Sequence, residues 1–396
     1  MIISFTPAYG GGERRNFNYF ETRPKIRIEN TLVKEGRGRM KLGEVCGSIS
    51  VTFRRQLEKV ILINTSDVLD GKVINHAYVP NENLRGQFKK SFQQGDILYS
   101  EIRPKNRRFA FVDFDASDYV ASSKLMVIRA NERVLPEFLF QVLKSDDITD
   151  QLQLLAETRS GTFPQITFSE LAALDVRIPS INDQRAIAKT LGALDDKIEN
   201  NRKINHHLEQ MAQTIFTELC SDGETAVLSD ILDVLYGKDH KRLGQGRIPC
   251  YGSGGIMRYV NEALYSGESV LIPRKGTLNN VLYINEPFWT VDTMFYTHMT
   301  RPNVAKFVYF TVRALDLAGM NVGSAVPSMT TAVLNALEIV LPSDESLASF
   351  EEAVNPMFLQ IQANNTESAR LSELRDTLLP RLMSGELSAR DLGDSK

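Results

Sequence analysis

The chain has 396 residues, more than one hydrophobic core normally serves, so two or more domains are expected. An apolar share of 42% and a charged share of 24% are those of folded globular protein and exclude wholesale disorder or a full-length rod. The 46 basic and 49 acidic residues leave a net charge of −3, which excludes a uniformly basic nucleic-acid binder, and no apolar run approaches the ~20 residues of a membrane span.

The N-terminal MIISFTPAYGGGERR has neither the basic start nor the sustained apolar core of a secretory signal. Cys46, Cys220 and Cys250 lie far apart, as reduced thiols of a cytoplasmic protein rather than disulfides or zinc ligands. Residues 1–40 form a basic arm: the first 41 positions hold nine basic and four acidic residues. Residues 41–178 read as a globular unit with strands at ILYSEIR, FAFVDFD and KLMVIRA and a helix at 136–145. Residues 179–222 read as a long helix, since 183–219 contain no proline and one glycine, Gly192; at 1.5 Å per residue that is roughly 55 Å. A second globular unit, 223–342, has strands at VLIPRK, VLYINE and MFYTHM and a helix at 303–314. The acidic segment 343–396 is a second long helix, in which Pro356 predicts a kink or a late start.

The chain repeats itself. Pro164, Leu174 and Pro179, in a segment opening at Gly161, recur 163 positions later as Pro327, Leu337 and Pro342, in a segment opening at Gly323. The same offset carries Ile187, Leu191, Leu194 and Ile198 onto Phe350, Val354, Met357 and Ile361. It also carries Leu208, Met211 and Ile215 onto Leu371, Leu374 and Leu378. The 4-3-4 spacing is that of a coiled-coil seam, and two matched helices without another partner are expected to pair with each other. Between the apolar blocks the seam turns polar at Asn201 and Asn205 and again at Asn364 and Ser368, either to specify register or because that stretch faces water. Upstream the copies drift: residues 41–49, 95–105 and 134–145 echo 227–235, 267–275 and 303–314 at offsets of 186, 172 and 169.

Catalytic tools are missing from the pattern. There is no phosphate-binding loop or nucleophile elbow, and the five histidines show no metal spacing. The Gly252–Gly255 cluster reads as a turn. Asn285–Glu286–Pro287–Phe288 is a weak echo of the Asn-Pro-Pro-aromatic motif of DNA amino-methyltransferases. By elimination the chain reads as a binding protein. Its candidate contacts are basic clusters in loops: Arg54 and Arg55; Lys89 and Lys90; Arg103, Lys105, Arg107 and Arg108; Lys238, Lys241 and Arg242 around His240; and Arg274 with Lys275. Such groups contact phosphates, and arginine can also read base edges bidentately. Arg103/Lys105 and Arg274/Lys275 stand in corresponding places of the two copies.

With repeat, helices and loops in place, the sequence resembles the specificity (S) subunits of type I restriction–modification systems from Lys41 onward. The most telling stretches are GTFPQITFSELAALDVRIPSINDQRAIAKTLGALDDKIENN, VPSMTTAVLNALEIVLPS, and IPCYGSGGI followed by VLIPRKGTLNNVLYINEPFWTVDT. Asp344–Glu345 departs from the pattern where Asp183–Gln184 would recur. The resemblance implies an α+β chain: two similar α/β target-recognition domains, separated by two long helices that pair as an antiparallel coiled coil. It implies that each domain reads half of an asymmetric double-stranded DNA target while the helices set the spacing. It further implies no catalysis and no cofactor or metal on this chain. Two methylation subunits would supply S-adenosylmethionine, and restriction subunits ATP and Mg. The competing readings are a stand-alone adenine methyltransferase acting through Asn285–Phe288 and a coiled-coil scaffold that does not read DNA.

Overall fold

The structure is a computed structural model and describes residues 39–82, 86–159, 164–220, 223–317, 319–320 and 328–388. The basic arm up to residue 38, Gly161, Gly323 and Pro327 lie outside the described residues. The chain divides into two compact units, and the division cuts both long helices. Of the described residues, the first unit comprises those from 39 to 202 with those from 365 to 388, and the second those from 203 to 364.

In the first unit a four-stranded sheet runs in the order Cys46–Ile49, Leu125–Ala130, Ile97–Ser100, Phe109–Phe111. Its side chains alternate between two cores, as the two-residue strand period requires. Ile97, Tyr99, Met126 and Ile128 point to helix α1 (Pro136–Leu143), helix α2 (Asp146–Arg159) and the long helices, joining Phe138, Leu139, Ile187, Leu191, Leu379 and Leu382. Leu98 and Val127 point the other way, to Ile61, Ile63 and Ala121. These belong to a second sheet, ordered Tyr78–Pro80, Lys59–Ile63, Tyr119–Ser122, Phe88–Lys90. Burial on both faces explains why the strand ILYS carries no polar alternation. Helix α3 (Phe168–Ala172), capped by the Thr167 hydroxyl, leads into Asp175–Arg177, which pairs antiparallel with Arg39–Lys41 and closes the domain at its ends.

Helix α4 (Ile181–Leu219) crosses into the second unit, which repeats the plan. Its sheet runs Leu232–Tyr236, Met294–Met299, Glu268–Pro273, Leu282–Asn285, covered by helix α5 (Ala305–Ala314) through Val270, Ile272, Phe295, Phe307 and Phe310. Gly255–Val260, Gln245–Gly252 and Trp289–Thr290 make the second sheet. Helix α6 (Thr331–Asn335) is capped by Thr330, 163 positions after Thr167, and Glu338–Leu341 pairs with Glu224–Val227. Strand pairing corrects one offset. Tyr99 pairs with Met126 and Ile272 with Phe295, so the middle strands correspond at 173 rather than 172.

Helix α7 (Asp344–Ser384) begins at Asp344 and continues through exposed Pro356, so the expected late start is not found. A proline inside a helix costs about 3 kcal/mol. Leu347, Phe350 and Val354 are all buried ahead of it, and each contributes about 1.5–3 kcal/mol, which outweighs that cost. The entry to α7 also differs from that of α4. At the 163 offset Gln184 corresponds to Leu347, not to Glu345. Gln184 is buried, donates to the carbonyls of Arg133 and Pro179 and accepts from the Leu135 N–H, whereas Leu347 joins the apolar core.

In each unit the helix halves run antiparallel. In the first unit Arg375 Nη1 donates to Asp195 Oδ1 at 3.0 Å, while Asn201 Nδ2 donates to Glu367 Oε2 at 2.7 Å and Ser368 Oγ at 3.2 Å. In the second, Asn364 Nδ2 donates to Asn205 Oδ1 at 2.8 Å, while Ala212 and Phe216 share a core with Phe350 and Val354. Asn201 and Asn364 are buried, so the polar stretch is part of the seam and does not face water. The Asn201–Ser368 bond is the 163-residue counterpart of Asn364–Asn205.

Seam membership follows most of the expected residues: Ile187, Leu191, Ile198, Phe350 and Val354 are buried, and Leu194, Leu208, Ile215, Met357, Ile361, Leu371 and Leu378 are partly so. Met211 and Leu374, also related by the 163-residue offset, lie off the seam, being 54% and 46% exposed. The alternation of four- and three-residue steps puts Ala212 after Leu208 and Arg375 after Leu371.

Candidate nucleic-acid interface

The segment that leaves the first strand of each helix-backed sheet crosses to the second sheet, and the basic clusters lie along that crossing. In the first unit Phe53 N–H donates to Lys89 O at 2.8 Å and Ser91 N–H to Val51 O at 2.9 Å. This pairing brings Arg54 and Arg55 beside Lys89 and Lys90, two clusters that are far apart in sequence. Arg54, Arg55 and Lys89 are exposed and have no side-chain partner among the described residues. Lys90 instead turns inward. Its Nζ donates to Ser123 O at 3.0 Å and Leu125 O at 2.8 Å. Burial pushes its ammonium below the ordinary lysine value, with Glu101 opposing and Lys89 and Lys124 adding to the shift. Exposed Lys124, 3.9 Å from Glu101, extends the strip and went unnoticed in sequence, where it stands alone between strands.

The structure breaks up the cluster at 103–108. Arg103 and Arg107 flank a tight turn, both with left-handed backbones at φ 45° and 54°, a conformation costly for residues with a Cβ. Arg107 compensates through its partners: it donates to Asp70 at 2.8 Å and Asp146 at 3.1 Å and lies over the Phe109 ring. Arg202, on α4, donates to the same Asp70 at 3.1 Å. Lys105 pairs with Asp150, and Arg108 donates to Ser66 O and Val68 O. Among these four, Arg103 alone has no side-chain partner among the described residues.

In the second unit Tyr236, Gly237 and Lys238 run against Thr290–Asp292. Lys238 N–H donates to Thr290 O, and a Cβ on Gly237 would lie 2.1 Å from Val291 O. Lys238, Lys241 and Arg242 are exposed, at the place where Arg54 and Arg55 stand in the first unit. Arg274 and Lys275 follow the central strand, and their loop rests on the glycine turn through Asn280 Nδ2, which donates to Ser253 O at 2.9 Å. The corrected register changes what they correspond to. Ile166 N–H donates to Glu101 O in one domain and Met329 N–H to Arg274 O in the other, so Arg274 stands in the place of Glu101. Gly276, with φ 86°, stands in the place of Arg103. Arg274/Lys275 are therefore not counterparts of Arg103/Lys105, although the loops are. Sequence reading also missed Tyr236, beneath Arg274, and half-exposed Ile256, Met257 and Tyr259 on an edge strand.

Among the described residues no group of His, Cys, Asp and Glu is placed to hold a metal, and no helix is long and apolar enough to cross a membrane. The three cysteines are free, and burial raises the Cys46 thiol to about 12 and the Cys250 thiol to about 11.

A family model described as type I restriction modification DNA specificity domain matches residues 38–210 and again 222–348. The type I restriction enzyme HindI specificity subunit of Haemophilus influenzae is 30% identical, the match covering 87% of this chain and 98% of that protein. The MjaIX specificity subunit of Methanocaldococcus jannaschii is 24% identical over 76% of this chain and 79% of its own length. A solved S subunit of a type I restriction–modification system from M. genitalium matches with a TM-score of 0.53 at 17% identity, over 91% of this chain and 99% of that one, a likeness of fold alone. The chain belongs to the family of type I restriction–modification DNA specificity domains and carries two copies of that domain.

Proposed function

We propose that this protein is the sequence-specificity subunit of a type I restriction–modification complex, reading a two-part, asymmetric double-stranded DNA target with one half assigned to each domain. The observation that carries this reading is a shared framework with different loops. Seam positions and the Thr167 and Thr330 caps correspond at one constant offset, while equivalent loop positions hold Glu101 against Arg274 and Arg103 against Gly276. Identical readers would select a symmetric site; these are not identical. The exposed cations Arg54, Arg55, Lys89, Lys124, Lys238, Lys241, Arg242 and Lys275 supply phosphate contact over a few loops, in keeping with a near-neutral chain.

The chain has no catalytic part in this reading. S-adenosylmethionine belongs to two methylation subunits held on the paired helices, ATP and Mg to restriction subunits, and the complex works in the cytoplasm. The polar seam layer at Asn201, Asn205, Asn364 and Ser368 fixes helix register and with it the spacing between half-sites. Sequencing methylated adenines in cells that express the chain with its methylation partner should reveal one bipartite, asymmetric motif that disappears when the chain is omitted. A symmetric motif, or methylation independent of the chain, would sink the proposal.

A further inference from the structure

Among the cations of the candidate interface, Arg274 combines a stack on an aromatic ring with Nε and Nη2 that have no partner among the described residues. Its backbone is fixed on both sides: its N–H donates to Thr293 O at 2.8 Å, and its carbonyl accepts from Met329 N–H at 2.8 Å. Its guanidinium lies over the Tyr236 ring, 5.5 Å from the centroid, and Nη1 donates to Asp292 O at 3.0 Å. Tyr236 is itself locked. It pairs in the sheet with Phe295, packs edge-on against the Phe295 ring at 5.0 Å, and its hydroxyl lies 3.4 Å from Thr331 Oγ1. The close approach at Gly237 presses the following chain onto Val291, next to the carbonyl that Arg274 uses.

A guanidinium has five N–H donors in a planar fork. One is committed to Asp292, and Nε and Nη2 have no partner among the described residues. Two parallel donors on a rigid mount match either the O6 and N7 acceptors of guanine in the major groove or two oxygens of one phosphate. The setting favours the base. Phosphate contact needs only a mobile point charge, which the neighbouring exposed Lys275 provides. An arginine stacked on an aromatic ring and tied to a carbonyl has already lost the side-chain freedom that base reading would otherwise cost. At the corresponding positions the first domain has Glu101 in the place of Arg274 and Ser50 in the place of Tyr236.

We infer that Arg274, held by Tyr236 and the Asp292 carbonyl, reads a guanine in the half-site assigned to the second domain, with Tyr236 as its positioning residue. The inference rests on the reading of the chain as a DNA-specificity subunit.

The test uses the full chain with its methylation partner and the methylated-adenine motif of cells carrying Arg274→Lys, Tyr236→Leu or Tyr236→Phe. Arg274→Lys keeps the charge and removes the fork. It should cut the preference for guanine at one position of one half-site by about 5–150-fold, leaving every other position unchanged. Tyr236→Leu should relax the same position to a smaller extent, and Tyr236→Phe, which keeps the ring, should restore it. A motif unchanged in Arg274→Lys overturns the inference. So does Arg274→Ala lowering methylation equally at all sites with the motif intact, the signature of a phosphate contact. If Tyr236→Leu fails to assemble, the conservative Arg274→Lys change at a half-buried site still decides the matter. A wild-type chain that directs no bipartite motif overturns the broader functional reading as well.

Discussion

The two units share a framework and differ in how they handle charge. In the first, α1 carries Glu137 on its exposed side. The corresponding position of α5 is Lys306, fully buried, ion-paired with Glu268 at 2.9 Å and with Glu351 of α7, and 5.2 Å from the Tyr283 ring centroid. Seven residues further along, Lys144 at the C-terminal cap of α1 pairs with Asp195 on α4, while its counterpart Arg313 on α5 pairs with Glu209, also on α4 but in that helix's other half. Apolar positions thus keep their correspondence because each must fill the same space. Charged positions need only find some opposite charge within reach, and the two copies have found different ones.

That contrast yields its largest expected effect at Lys306. Lys306→Met leaves Glu268 and Glu351 without their shared cation, and breaking a buried pair from one side costs about 3–5 kcal/mol. Glu137→Ala at the equivalent surface site should change stability by no more than about 0.5 kcal/mol. Denaturant melts of both variants check the difference. Equal effects would mean that the Lys306 network contributes nothing beyond its packing.

Asp195 is the charge hub of the first unit, receiving Lys144, Gln141 at 2.9 Å and Arg375 at 3.0 Å. Burial works to raise its carboxyl, but those three partners outweigh burial and hold it below the ordinary value. A depressed carboxylate stabilises the fold above its unfolded pKa of about 3.9, and the contribution is lost as pH falls through the folded value. Asp195→Asn should therefore cost about 2 kcal/mol at pH 7, a difference that shrinks steadily below pH 4. A gap between variant and wild type that is constant from pH 7 to pH 3 would remove the electrostatic explanation.

What the sequence made legible follows the same division. Constant spacing exposes whatever the core repeats: the 163-residue offset, Thr167 with Thr330, and the seam from Ile187 to Leu208. A one-residue slip in phase is invisible to spacing alone, so Arg274 seemed to match Arg103 until strand pairing set the register. Pairings that join distant segments leave no local trace. Nothing in the text around Lys306 announces Glu351, and nothing around Arg54 announces Lys89. The basic clusters were visible as composition, but which cations are spent on internal partners was not.

The next contrast separates spent from available cations within the first unit. Arg107→Ala removes bonds to Asp70 and Asp146 and should cost about 1–2 kcal/mol of stability with little change in DNA affinity. Replacing Arg54 and Arg55 together by Ala should leave stability within about 0.5 kcal/mol and make the salt dependence of DNA binding shallower by a slope of about 2, one phosphate per residue. Titrations of the assembled complex at several salt concentrations, beside melts of each variant, distinguish the two. A shallower slope for Arg107→Ala and none for the pair would exchange their roles.

The smallest effect is expected at Lys275, and it sharpens the contrast with its neighbour. The two side chains are adjacent in one loop, yet Arg274 has two fixed supports and Lys275 has none among the described residues. A mobile ammonium contributes to affinity through counterion release and carries no base information. Lys275→Ala should therefore reduce the salt slope by about 1 and weaken binding alike on matched and mismatched DNA, with the methylated motif unaltered. The comparison with Arg274→Lys is made on the same DNA panel. A mismatch-dependent loss at Lys275 would show that position in the loop, rather than rigidity of the mount, decides which cation reads sequence.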